Sequence, residues 1–166
     1  MSKKEFILDQ LAVCRNMESW FKPLSMAIEG LTAEQASWKP SENSNSIAQI
    51  ASHLHFYNER WLQRFGGQVI DEYPQTNAST FEALAEPKEE NWRKLIAALD
   101  TGLEKWQKAI ERTTEVQLHE SIPGFPEDAL WWEALSNLCT HNSYHIGQMI
   151  YVRKMQDSWE IAEDWY

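Results

Sequence analysis

Residues 139–154, CTHNSYHIGQMIYVRK, place His141 and His145 four positions apart inside an apolar pattern that repeats at helical spacing. On a helix, positions four apart differ by about 40° in direction, so both imidazoles project from successive turns of one side. The same 3.6-residue count brings Ala134, Leu138, Gln148 and Val152 onto that stripe, which makes it the inward face. A buried imidazole needs a hydrogen-bond partner or a metal, and two stacked in an apolar stripe suit attachment of one cation.

Outward from this stretch, apolar residues recur at helical spacing in three further segments, and no run alternates as a strand would. The first spans about Lys4 to Ile28, with Phe6, Ile7, Leu11, Cys14, Met17 and Phe21 on one side and Pro23 as a kink or stop. Residues 29–46, EGLTAEQASWKPSENSNS, break the pattern and read as a connector with a short helical turn around Ala33 to Ala36. Ser46 with Gln49 has capping-box spacing, Asn45 being the other candidate cap, so a second helix starts near Ile47 and runs to about Arg64, before Gly66 and Gly67.

Ser79 with Glu82 offers a further capping pair, ahead of a third helical region marked by Leu84, Trp92, Leu95, Leu99, Leu103, Trp106 and Ile110, with Pro87 splitting off its first turn. Residues 121–128, SIPGFPED, forbid regular helix, and Glu127 with Asp128 suit the N-terminus of a fourth helix reaching about Gln156. The pattern predicts an all-α fold, an antiparallel four-helix bundle, and the length of 166 residues predicts a single domain over 1–166.

The net charge of −10, with no Lys/Arg cluster to release counterions, argues against nucleic acid as a partner. The opening MSKKEFILDQLAVCRNMESW mixes charge with apolar residues, unlike a signal peptide, and no segment approaches the roughly 20 apolar residues of a membrane span. The expected setting is cytoplasmic, with Cys14 and Cys139 as two buried, reduced thiols.

Two familiar helix-borne metal classes do not fit. Asn142 stands where the zinc proteases' H-E-x-x-H has its glutamate, and no histidine follows a glutamate by three residues as a ferritin-like di-iron site requires. The second helix offers His53 and His55 as a third ligand. They differ by about 200° in direction, and the apolar face set by Ile47, Ile50, Leu54 and Trp61 leaves each near an edge, so periodicity alone barely separates them. His119, in a polar stretch, reads as a solvated residue.

Taken together, LTAEQASWKP, NSIAQIASHL and HNSYHIGQMIYVRK resemble the DinB/YfiT-like superfamily of four-helix-bundle proteins over nearly the whole chain. Carried over position by position, the resemblance implies a metal triad of His53, His141 and His145, and so selects His53 over His55. Three histidines leave a coordination position open, as in catalytic sites, and imidazole suits zinc or nickel, with iron possible. Gln148, one turn past His145, can orient a ligand or hold a packing role; Gly147 reads as a point of close helix approach.

The resemblance further implies a metal-dependent transferase that conjugates a low-molecular-weight thiol, bacillithiol-like, to a small-molecule electrophile. Tyr57, Trp61, Trp131 and Tyr144 are the candidate pocket walls. Metal-assisted hydrolysis is the alternative enzyme, with Glu59 or Glu133 as base, and a non-catalytic, stress-associated metal or ligand-binding protein is the alternative outside enzymes. Nine tryptophans exceed what one core of this size readily hides, which together with the resemblance predicts a homodimer. The terminal DSWEIAEDWY is expected at that contact or folded over the bundle end.

Overall fold

The computed structural model describes residues 1–70 and 76–159. Helix α1, Lys3–Arg15, opens with a capping box in which Ser2 and Glu5 exchange backbone and side-chain bonds at 2.8 and 3.1 Å. It stops well short of the expected Ile28. After Arg15 the apolar spacing gives way to polar Asn16, Glu18 and Ser19, and Asn16 leaves the helical region at φ −151°. Arg15 pins that end by gripping both carboxylate oxygens of Asp100 at 2.7 and 2.9 Å. Met17 and Trp20 are consequently exposed, Trp20 almost wholly at 97%.

Pro23 then serves as the N-cap of the short α2, Leu24–Ala27, and Thr32 caps the expected helical turn, α3, Ala33–Ser37. Helix α4, Ile47–Phe65, begins at the Ser46–Gln49 capping box and ends at Gly66. Ser79 does not cap a long helix as its spacing suggested. It lies inside a 3-10 turn, Asn77–Thr80, that Thr76 caps, and Pro87, which has no N–H to give, holds the start of α5, Glu89–Arg112, beyond it.

A short α6, Glu115–Leu118, leads to the SIPGFPED loop, closed by bonds from Ile122 N–H to the Ala129 carbonyl and from Trp131 N–H to that of Glu120. Helix α7 spans Trp131–Met155. It starts after Glu127 and Asp128 because a turn from Pro126 to Ala129 occupies them, and Glu133 instead reaches back to the Leu130 N–H at 3.3 Å.

The four long helices close a ring in which α1 and α4 each pack against both α5 and α7. Lys4 bonds the Glu111 carbonyl while Arg15 meets Asp100, so α1 and α5 run oppositely. Lys3 sits over Trp132 while Cys14 bonds the Cys139 carbonyl, so α1 and α7 run together. His53 meets His141 while Phe65 meets Trp131, so α4 opposes α7. It follows that α4 and α5 share a direction, so of the neighbouring pairs α1–α5 and α4–α7 are antiparallel while α1–α7 and α4–α5 are parallel.

The interior is built on Leu11, Leu54, Leu99, Leu135 and Met149 around Trp106, whose ring is fully buried and whose N–H is satisfied by the Asn58 carbonyl at 3.1 Å. Cys14 and Cys139 are buried and free. Among the described residues no strand forms beyond one isolated bridge, Ser121 to Leu130, and no helix is long and apolar enough to cross a membrane. Trp165 and Tyr166 lie outside the described residues.

Candidate metal centre

His53 comes from the middle of α4, whose inner face is fixed by Ile47, Ile50, Ala51 and Leu54. His141 and His145 come from successive turns of α7. Because the two helices run oppositely and in contact, the three rings meet. The Nε2 atoms of His53 and His141 stand 2.9 Å apart, and one ligand atom from each of the three histidines lies within 4.8 Å of the others. That is the compass of a single ion with bonds to imidazole of about 2.0–2.1 Å.

The outer nitrogens show which way the lone pairs face. Thr80 donates its hydroxyl proton to the Asn77 carbonyl at 2.7 Å, so toward His53 Nδ1, 2.6 Å away, its oxygen accepts. His53 is thereby protonated at Nδ1 and presents a bare Nε2. Gln148 Oε1 accepts from His145 Nδ1 at 2.7 Å with the same result. Phe81 stacks on the His53 ring at 3.9 Å between centroids and 10° between planes, fixing its rotation.

The rings are kept neutral, the form that binds metal. Burial, followed by the neighbouring charges of His145 and His141, holds His53 down at about 3. Burial and then His145 hold His141 at about 4, and burial lowers His145 against the raising effect of its Gln148 bond. A buried amide pair beside the rings sets the helix register: Asn58 and Asn142 bond each other in both directions, at 2.8 and 3.1 Å. Neutral and convergent, with His53 and His145 oriented by their outer partners, the three imidazoles fit a divalent cation.

The centre lies in a cleft of about 760 Å³. Tyr57, Trp61, Tyr144 and Gln148 line it, with Phe81, Phe125 and Glu133. Trp131 does not. It is turned into the bundle, edge-on to Phe65 at 4.9 Å and to Trp61 at 6.3 Å, so it supports the wall from behind. Glu59 is absent from the lining and accepts a bond from Gln63 on its own helix. His55 is half-buried outside the cleft, and His119 is exposed, bonded to Lys3 and to the Glu115 carbonyl.

Sequence reasoning missed Thr80, Asn77 and Phe81, which sit on the connector without a periodic signal, and the pairing of Asn58 with Asn142. The two asparagines carried a clue, because a lone amide at an inward helical position calls for a partner.

No curated protein and no solved structure matches the chain. A family model described as the DinB superfamily matches residues 20–149, a span that holds His53, His141, His145 and Gln148. Covering well over half of the sequence and the whole histidine cluster, this match shows that the chain belongs to the DinB superfamily.

Proposed function

We propose that the protein is a divalent-metal-dependent transferase that joins a low-molecular-weight thiol to a small electrophile. The observation that supports this reading is the convergence of three neutral imidazoles, two of them with bare inward nitrogens, in an aromatic cleft open to solvent. A bound zinc or nickel ion supplies Lewis acidity there, which brings a thiol pKa of about 8.5 toward neutrality.

The chain's own part is orientation and exclusion of water. Thr80 and Gln148 hold the Nδ1 protons and so keep two donors aimed inward. Phe81 and Tyr57, the latter tethered to Asn77 at 3.1 Å, shield the His53 side. Metal-assisted hydrolysis fits less well, because Glu59 points to Gln63 and Glu133 lies eight residues, about 12 Å, along α7 from His141. The free, buried Cys14 and Cys139 support a reducing, cytoplasmic setting, and the exposed stripe of Tyr144, Tyr151 and Met155 on α7 supports a homodimer.

The test begins with elemental analysis of untagged protein, where near-stoichiometric metal is expected. Conjugation of a panel of thiols to a model electrophile should then be accelerated by the wild type and not by His145→Ala. Full metal occupancy without thiol-dependent turnover across the panel overturns the transferase reading in favour of metal or ligand capture.

A further inference from the structure

The cleft has two chemically different ends. Along α7, Glu133 precedes His141 by eight residues, about 12 Å, and along α4 Trp61 follows His53 by the same eight. Since α4 and α7 run oppositely, Trp61 and Glu133 flank the same outer end, as the Trp61–Trp131 ring contact at 6.3 Å also indicates. Phe125 completes that end, 5.7 Å from Trp61 between centroids.

Among the described residues Glu133 is the sole carboxylate of the lining, and no lysine or arginine lines the cleft. Arg64 lies against the rings of Trp61 and Phe125, 5.4 and 4.8 Å from their centroids, and donates to the Ile70 carbonyl, but is not itself part of the lining. The chain as a whole carries a net −10. A negative carboxylate beside aromatic faces favours an ammonium or an uncharged tail and disfavours an anionic one.

We propose that the cleft selects a small amphipathic ligand with a metal-ligating head at the three histidines and an uncharged or cationic tail about 12 Å away, between Glu133, Trp61 and Phe125. This rests on the three histidines holding a metal, and it turns the proposed function away from the bacillithiol-like thiol expected from the sequence, whose malate end is anionic, toward thiols without carboxylates at that reach. Glu133 is the specificity determinant. It acts on the tail and takes no part in the chemistry at the head.

The test uses zinc-loaded protein and isothermal titration calorimetry at low salt. Two probe series carry an eight-carbon chain ending in ammonium, methyl or carboxylate; one has an imidazole head, which ligates zinc without any thiol chemistry, and the other a thiol head. In the imidazole series the ammonium probe should bind at least about fivefold tighter than the carboxylate probe. The gap should close in Glu133→Gln, which keeps the acceptor for Leu130 N–H.

Equal affinities of the ammonium and carboxylate probes, tighter carboxylate binding that Arg64→Gln abolishes, a gap that survives Glu133→Gln, or no binding of any imidazole probe each overturns the proposal. Failure of the thiol series alone, with the imidazole preference intact, sinks the transferase reading and leaves this assignment standing.

Discussion

Asn58 and Asn142 exchange amide hydrogen bonds in both directions across the seam of α4 and α7, at 2.8 and 3.1 Å, directly beside the three histidines. Both side chains are buried, and Asn58 also bonds the Leu54 carbonyl. The pair acts as a register pin: sliding one helix along the other by a residue strands two amides away from water.

Replacing one member should therefore cost more than the bond itself is worth. Asn142→Leu is expected to lower stability by about 1–3 kcal/mol, the penalty of an orphaned buried amide. The double variant Asn58→Leu/Asn142→Leu should lose less than the sum of the singles. Urea denaturation of the four proteins of the cycle measures this, and strict additivity would show that the pair carries no coupling.

Thr80 should matter to metal affinity through its hold on His53 Nδ1. Thr80→Val removes the acceptor for His53 Nδ1 while conserving shape, and a loss of about 10–100-fold in zinc affinity is expected, with Thr80→Ser close to wild type. Competition with a chromophoric chelator gives the affinities. A Val variant that binds zinc like the wild type shows that Phe81 stacking alone suffices to orient the ring.

The metal-free protein should lose stability as the solution is acidified. Unfolded histidines take up protons near pH 6.5, whereas burial and mutual proximity hold His141 at about 4 and His53 at about 3. The unfolded state thus binds more protons through this interval, and stability falls as pH drops below about 6.5, His141 ceasing to contribute near 4 and His53 near 3. Urea midpoints at pH 7.5, 6.0 and 5.0 should decline, and His53→Phe should flatten the slope. Identical slopes in the two proteins rule out the cluster as the source.

Binding of a cation should stabilise the native bundle by mass action, about 2.7 kcal/mol at a hundredfold excess over Kd. Thermal scans with and without zinc should show a rise in Tm for the wild type and none for His145→Ala. Chelator should return the wild type to its metal-free Tm. A rise of equal size in the variant places the ion elsewhere.

The helical elements were legible wherever their cause was local. Ser46 with Gln49 marks the start of α4, the i, i+4 spacing puts His141 and His145 on one side of α7, and Pro87 bars helix before α5. Periodicity misled where an apolar residue continued the count without being buried: Met17 extends the stripe of α1 on paper, yet the helix has ended at Arg15, where Asp100, 85 residues away, fixes it.

By itself, then, the sequence determined that this chain is helical, where most helices begin, and that two imidazoles share a face, because caps, prolines and 3.6-residue periods act within a few residues. Only the tertiary structure decided which histidine of α4 turns inward, that Trp131 backs the cleft wall while Glu59 lies outside the lining, and that Thr80 holds His53. Those outcomes depend on the rotation of α4 about its own axis, which packing against α5 and α7 sets, and on hydrogen bonds between residues 27 and 84 positions apart. No local pattern encodes a partner at that distance; it exists only once the hydrophobic faces have closed the bundle.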